Sequence, residues 1–326
     1  MKFNEDVSVD LIIGTASFGQ GTPTSLSQIV ADEVGIPVEK VRVGLVRSTD
    51  MSAYTWQTVG SRGLFTDGIA VMDALRDAKA QIKEVASQVL KVKPEDLEIA
   101  KEQVFVKGYP WHGLPLSEVV FGYTYPNGSS IGGPIRGRGK FMSPLTTYLD
   151  PDTGQGVPTI FHTFGATGVE IEVDVLTGEI EILKGSQAFD IGKAINPLLV
   201  KCQIDGGFIM GQSAALYEQI IFDEQGWVLN PNLSNYRILR AKEMPREMEE
   251  IIVETPQSDA PHGARGLGEV VMIGVAPAIA NAVYRAIGVQ ITNVPMTPEN
   301  VWRAVQEQKP ELIEEAKRKL KESGGQ

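Results

Sequence analysis

An alternation between two hydrophobic periods constrains the fold of this chain more than any other feature. Apolar residues at every second position, the pattern of a half-buried strand, occur around Val9, Val43 and Ile171. Other stretches repeat apolar residues at helical spacing, for example around Ile29 and Ile82. Because the chain uses both periods, we expect strands and helices in one folded protein.

The two periods predict individual elements. Strands are expected at 7–13 and 41–45, and a hairpin should pair 169–173 with 180–182 across a turn at Gly178. Helices are expected from about residue 22 up to Gly35, at 66–92, around 201–217, and from Pro277 to Gly288. Neither period holds between 125 and 158, where glycine and proline concentrate. That change predicts two subdomains, residues 1–125 and residues 126–326.

Composition excludes several classes of function. The chain has 326 residues, a formal net charge of −11 and one cysteine, Cys202, which rules out an intrachain disulfide or an all-cysteine metal or iron–sulfur site. The acidic excess argues against broad nucleic-acid binding. We found no apolar run close to the ~20 residues of a membrane span and no signal-peptide pattern at the N-terminus. We therefore expect a cytoplasmic protein with neither nucleic-acid nor membrane partners.

Two glycine turns precede predicted helices and could bind an anion. Gly19-Gln20-Gly21 with Thr24 follows the first strand, and Gly60-Ser61-Arg62 precedes the long helix. Glycines let backbone N–H groups approach a phosphate, and the helix dipole favours negative charge there. Neither turn is a P-loop or a dinucleotide fingerprint. On residues alone, ordinary turn geometry and an ordinary helix cap remain open.

A third glycine-rich element lies at Gly263-Ala264-Arg265-Gly266-Leu267-Gly268-Glu269. Its three glycines in six residues imply a backbone held close to another part of the molecule. Because apolar residues follow Glu269, its carboxylate could be partly desolvated and serve as a general base. The alternative is an acid at the start of a helix, stabilised by the dipole, and spacing alone favours that alternative. The widely separated histidines give no metal-ligand pattern.

Taken in order, these elements resemble the molybdenum-binding subunit of the xanthine dehydrogenase and aldehyde oxidase family of molybdenum hydroxylases. The resemblance covers nearly the whole chain. It implies an α+β fold with mixed sheets and helices in two subdomains. It rests on the segments GQGTPTSLSQIVADEVGIPVEKVRV, TVGSRGLFTDGIAV, EIEVDVLTGEIEILKGSQAFDIGKAINPLLVKCQIDGGFIMGQSAALYEQ, NYRILRAKEMP, GARGLGE and ITNVPMTPENVW.

The resemblance also implies site residues and a cofactor. The cofactor is molybdenum-molybdopterin in the cytosine dinucleotide form, and its dithiolene holds the metal, so no protein side chain is a metal ligand. The matched Gly-Glu pair implies a catalytic base. The implied reaction inserts water-derived oxygen at an electron-poor carbon. The implied base is Glu269, and the implied cofactor-binding residues are Gly19, Gln20, Gly21, Thr24, Gly60, Ser61, Arg62, Met210 and Gly268.

The chain departs from the family pattern in ways that imply partners. Met210 stands where many members carry glutamine, and Cys202 replaces a usual glycine. Family large subunits are more than twice this length, so a companion large molybdopterin subunit should supply the other half, as in nicotinate dehydrogenase. Iron–sulfur clusters and FAD would then lie in partner subunits. The implied substrate is a small molecule, an N-heterocycle such as nicotinate or an aldehyde; the alternative role is a non-catalytic molybdopterin carrier or assembly subunit.

Overall fold

The computed structural model describes residues 1–44, 48–50 and 52–323. These residues form two compact units. Unit 1 comprises Met1–His162, Ile191–Asn196 and Glu254–Gly266, and unit 2 comprises Thr163–Asp190, Pro197–Val253 and Leu267–Gln326. The predicted α+β class is confirmed by helices and mixed sheets in both units. The chain crosses between the units several times, so each unit is built from separate segments.

The predicted boundary near residue 125 falls inside unit 1, whose first segment continues to His162. The glycine-rich stretch that suggested it lies along a helix of unit 1. A Cβ on Gly137 would lie 2.1 Å from the Ala74 carbonyl oxygen, and one on Gly139 would lie 1.9 Å from the Ala70 carbonyl oxygen. The glycines there permit close packing of an extended segment on a helix, which the composition alone did not distinguish from a linker.

Unit 1 contains three sheets. Its strands and helices are β1 (Lys2–Phe3), β2 (Val9–Leu11), α1 (Thr22–Val34), β3 (Val41–Val43), α2 (Gly63–Leu90), β4 (Leu97–Ala100), β5 (Gln103–Val106), β6 (Tyr109–Pro115), β7 (Tyr123–Thr124) and β8 (Ser130–Ile131). β2 pairs antiparallel with β1 and parallel with β3, β4-β5-β6 form an antiparallel sheet, and β7 pairs antiparallel with β8. Apolar faces of α1 and α2 fill the core between these sheets, with Leu26, Ile29, Leu75 and Ile82 almost completely buried.

The strand predicted at residues 7–13 corresponds to β2 and is shorter than predicted. Val7 has a φ of 64° and its N–H donates to the Asn4 carbonyl, so a turn occupies the start of the alternating stretch and β2 begins at Val9. The predicted α1 ends as expected at Gly35, whose φ of 74° caps the helix. Leu45, the last residue of the predicted second strand, lies outside the described residues.

Unit 2 is built on a three-stranded sheet with five helices. Its elements are β9 (Phe164–Val173), β10 (Ile180–Asp190), α3 (Pro197–Leu216), β11 (Glu247–Val253), α4 (Val270–Ile273), α5 (Val275–Ile287), α6 (Pro298–Gln308) and α7 (Pro310–Ser323). The predicted hairpin of β9 and β10 is confirmed, and β11 adds to β10 in parallel. Short 3-10 helices complete the two units at Val38–Lys40, Pro94–Asp96, Leu116–Glu118, Ala241–Glu243 and Pro261–Gly263.

One stretch of unit 2 is longer and more apolar than we expected from the sequence. Val270–Ile287 spans 18 residues with a mean hydropathy of 1.7 and passes the length and composition test for a membrane span. The expectation that no run approaches this length is thus not met. Core helices of folded proteins pass the same test, and α5 buries Val275, Ile279 and Val283 at helical spacing in the core of unit 2.

Candidate functional site

The first glycine turn leads directly into α1. Gly19 and Gly21 have φ values of 112° and 79°, and Gly21 is the N-cap residue of the helix. The Gln20 side chain is used within the turn: its Oε1 accepts from the Phe18 N–H at 2.9 Å and its Nε2 donates to the Ala16 carbonyl at 3.2 Å. Among the described residues, no side chain caps α1 and its first turn carries no acid. The helix therefore presents its N-terminal dipole to an incoming anion.

The second turn is constructed in the same way before α2. Gly60 and Ser61 both have left-handed φ values, 64° and 55°, and Arg62 is the N-cap residue. The Arg62 guanidinium lies 5.3 Å from the centre of the exposed Trp56 ring, which restricts its position by a cation–π contact. The first turn of α2 also lacks acidic residues. A fixed guanidinium at a helix N-terminus provides both charge and direction for a phosphate.

Unit 1 holds these two turns side by side. The Ala16 N–H donates to the Thr58 Oγ1 at 3.2 Å, which joins the segments before the two helices. At the helix starts themselves, a Cβ on Gly63 would lie 3.6 Å from the Thr22 Oγ1. In contrast, a Cβ on Gly19 or Gly60 would meet nothing within 4 Å. The segments around the two turns thus contact each other, whereas Gly19 and Gly60 border open space.

The glycine-rich loop contributes a third segment to unit 1. A Cβ on Gly266 would lie only 1.6 Å from the Ser61 carbonyl oxygen, so the loop backbone rests directly on the second turn. The loop is anchored by the Arg265 N–H, which donates to the Ile191 carbonyl at 2.8 Å, and by the Arg265 Nε, which donates to Gln257 Oε1 at 3.1 Å. The prediction that this loop is held close to another part of the molecule is confirmed.

A buried carboxyl group near the second turn was not predicted. Asp67 lies in α2 with only 9% of its surface exposed, and its Oδ2 has no hydrogen-bond partner in the described part of the chain. Burial raises the pKa of Asp67 to about 6, although the nearby Arg62 charge opposes the shift. The sequence signal was available, because Asp67 falls on the buried stripe of an amphipathic helix, where a charged residue is unusual.

Glu269 and its neighbours belong to unit 2. Glu269 occupies the N-cap position of the four-residue helix α4, which agrees with the helix-start interpretation, and its side chain is exposed. The apolar residues that follow Glu269 in sequence therefore do not bury its carboxylate in this structure. Met210, on α3, has 62% of its surface exposed, and the Gly268 carbonyl accepts a hydrogen bond from Gln203 Nε2 at 2.6 Å.

The structure therefore brings together three predicted segments in unit 1, whereas Met210, Gly268 and Glu269 are placed in unit 2. Thr24 is exposed on the first turns of α1. Within the described residues, no group of three or more His, Cys, Asp or Glu side chains is arranged to hold a metal ion. Sequence reasoning missed Trp56, Asp67 and the glutamines that contact the Glu269 segment.

Comparisons with known proteins define the class. The model of the molybdopterin cofactor-binding domain matches residues 1–245, most of the chain. This chain therefore belongs to the molybdopterin cofactor-binding domain family, of the type found in molybdenum-binding subunits of the xanthine dehydrogenase family.

Individual relatives agree with that class. A putative xanthine dehydrogenase molybdenum-binding subunit of Escherichia coli is 31% identical over 304 residues, covering 93% of this chain and 38% of the relative. The carbon monoxide dehydrogenase large chain of Afipia carboxidovorans is 31% identical, covering 91% and 35% respectively. The structure of quinoline 2-oxidoreductase from Pseudomonas putida has a TM-score of 0.79 at 26% identity, covering 94% of this chain and 38% of that one. The chain thus spans little more than a third of each relative's length.

Proposed function

We propose that this chain is the medium molybdopterin subunit of a multi-subunit molybdenum hydroxylase. The observation that carries the proposal is the pair of adjacent helix N-termini in unit 1, each preceded by left-handed residues and without acids in its first turn. Such a pair suits a cofactor that carries phosphate. The open space at Gly19 and Gly60 gives a backbone cradle that a side chain would fill. These residues fit the molybdenum-molybdopterin cofactor, and we propose its cytosine dinucleotide form.

Each residue has a distinct role in this proposal. Gly19, Gly21 and Gly60 let the backbone approach the cofactor, and Arg62 pairs with its negative charge. When bound, the cofactor supplies the redox chemistry for inserting water-derived oxygen at an electron-poor carbon. The Glu269 carboxylate accepts the proton released in that reaction. Its exposure in this chain is consistent with a site that becomes enclosed only in the complete enzyme.

A companion chain is the second part of the proposal. The chain covers 38% or less of the length of each relative described above, and we propose that a companion large molybdopterin subunit supplies the other part. Large apolar side chains lie exposed on both units, among them Trp111 (79%), Met142 (91%) and Trp227 (74%). Burying residues of this kind in an obligate interface removes the cost of their exposure, and such interfaces commonly exceed ~2,000 Å².

Other subunits would carry the electrons away. Because the sequence has a single cysteine, Cys202, we assign iron–sulfur clusters to a partner subunit and FAD to a further one. We propose an N-heterocycle or an aldehyde as substrate. Similarity to quinoline 2-oxidoreductase, whose name denotes an N-heterocyclic substrate, supports the first of these. A cytoplasmic location completes the proposal.

One observation favours a second candidate. The Glu269 side chain is exposed and occupies a helix N-cap position, as an acid without a catalytic role would. The alternative is therefore a non-catalytic molybdopterin carrier or assembly subunit, which would keep the cradles of unit 1 and need no base in unit 2.

The test measures cofactor and turnover on the same preparation. Purified complex should contain about one molybdenum and one pterin per copy of this chain. Glu269→Gln keeps the shape of the side chain and removes its basicity, so turnover should fall about 10² to 10⁴-fold with molybdenum retained. Glu307→Gln, an exposed position on α6, is the matched control and should change neither quantity.

Three results would contradict parts of this assignment. Active complex without molybdenum would exclude the hydroxylase. Retained molybdenum with near-normal turnover in Glu269→Gln would identify the carrier instead. Loss of molybdenum from Glu269→Gln alone would show that cofactor retention depends on unit 2 and not only on the turns of unit 1.

A further inference from the structure

We infer that Gln203 and Gln187 are positioning residues that fix the backbone on either side of Glu269. This inference rests on the proposed role of Glu269 as the base. Both glutamines and the segment they hold lie in unit 2. Their side-chain amides donate to carbonyl groups one residue before and two residues after Glu269.

Gln203 holds the residue before the base. It projects from α3, and its Nε2 donates to the Gly268 carbonyl at 2.6 Å. Gly268 has no side chain through which the surrounding protein could hold it. Its carbonyl is therefore the group by which α3 can fix the peptide that leads into Glu269.

Gln187 holds the residue two positions after the base. It lies in β10 with 0% of its surface exposed, and its Nε2 donates to the Val271 carbonyl at 2.7 Å. The same Nε2 donates to Thr167 Oγ1 at 3.0 Å, and Thr167 is its cross-strand partner on β9. The amide is thereby oriented by the sheet before it contacts α4.

Gln187 is unfavourable for the stability of the fold. Its Oε1 is buried and accepts no hydrogen bond from the described residues, and such a group carries a desolvation penalty. An apolar side chain of similar size would fill the same space in the core without that penalty. The hydrogen bond to α4 is the contribution that an apolar side chain could not make.

The helix that begins after Glu269 needs external support. α4 has four residues, too few for a helix to be stable through its own hydrogen bonds. Small residues on α3 bring the two helices into contact: a Cβ on Gly207 would lie 2.1 Å from Val271 Cγ2, and one on Gly211 would lie 3.0 Å from the Met272 carbonyl oxygen. Close packing therefore sets the distance between α4 and α3. The two glutamine hydrogen bonds fix the translation and rotation of α4 relative to α3.

The experiment compares three glutamine variants in the complete complex. Gln203→Met and Gln187→Met remove the amide donor while retaining side-chain length. Gln212→Met is the matched control, because Gln212 lies on α3, is 1% exposed and donates to the Glu243 carbonyl at 2.8 Å, away from the Glu269 segment. If an apolar variant does not fold, the corresponding Gln→Asn variant, neutral but one methylene shorter and so withdrawn from the carbonyl, replaces it.

We expect kcat to fall about 10 to 10²-fold in the two test variants, with KM changed less than about twofold, because a small displacement of a catalytic group affects the transition state most. Hydrogen exchange at the backbone amides of 270–273 should accelerate, a readout that does not depend on turnover. In the control, kcat and exchange at 270–273 should stay at their normal values even where thermal stability falls.

A double variant tests whether the glutamines act through Glu269. Adding Gln203→Met to Glu269→Gln should not lower kcat further, because the group being positioned is already inactive. An equal fold-loss in both backgrounds would overturn the inference, as would normal kcat and exchange in the single variants. If Glu269→Gln itself turns over normally, the proposed base fails; exchange at 270–273 then still decides whether the glutamines fix this segment.

Discussion

The buried carboxyl of Asp67 predicts a stability that depends on pH. Its pKa rises from an ordinary 3.8 to about 6 because the side chain is buried in α2. The folded state therefore keeps the proton over a pH range in which the unfolded state has lost it. It follows that the Asp67 contribution destabilises the fold increasingly as pH rises from about 4 to about 6, and remains constant above that range.

The size of the effect follows from the two pKa values. Linkage between them gives a loss of about 3 kcal/mol from strongly acidic solution to pH 7.5, of which about 2 kcal/mol appears between pH 4.5 and 7.5. Asp67→Asn has no proton to lose. The free energy of unfolding of this variant, relative to the natural chain, should therefore improve by about 2 kcal/mol between those two pH values.

The assay is urea unfolding of both full-length chains, followed by tryptophan fluorescence over that pH range. Asp152→Asn, the same substitution in an exposed loop of unit 1, serves as the control and should leave the free energy of unfolding close to that of the natural chain. A pH-independent difference between Asp67→Asn and the natural chain would refute the reasoning, because it would show that Asp67 ionises normally in the folded state.

Three further predictions concern the cradle and the companion. Gly266→Ala would place its Cβ 1.6 Å from the Ser61 carbonyl oxygen, so it should destabilise unit 1 by at least ~2 kcal/mol in urea unfolding and lower molybdenum content, whereas Gly133→Ala, with nothing within 4 Å, should do neither. Arg62→Ala should lower molybdenum occupancy in the purified complex, with Arg76→Ala, 77% exposed on the same helix, as its control; equal occupancy would remove Arg62 from the cofactor site. The chain expressed alone should aggregate in size-exclusion and light-scattering measurements, and a stable, fully active monomer would contradict the split subunit.

Much of the fold was predictable where local chemistry determines it. Gly21 and Gly35 bound α1, and the period of buried residues in α2 is uninterrupted, so both helices follow from residues near in sequence. The β9–β10 hairpin follows likewise from a turn at Gly178, whose φ is 79°. A missed case had a visible signal: Thr297 accepts from the Asn300 N–H and precedes Pro298, an N-terminal pattern that predicts α6.

Other features depend on residues distant in sequence and could not be derived from local patterns. The parallel pairing of β11 with β10 joins segments separated by α3. The exposure of Glu269 depends on how distant segments of the chain pack around it, so its apolar neighbours in sequence were a poor guide. The sequence singles out the glycines of the candidate site, but only the fold shows that Gly266 rests on Ser61 and that Gly19 and Gly60 face open space.

The discontinuity of unit 1 has a consequence for biosynthesis. Gly266 and Ser61, which meet in the finished unit, are on the order of 200 residues apart, so their contact has a high loop-closure cost and forms late. At ~5 to 20 residues per second, translation leaves the first two turns without the third segment for at least ~10 seconds. The three segments of unit 1 can meet only after residue 266 has left the ribosome, so unit 1 of the nascent chain is incomplete throughout that interval.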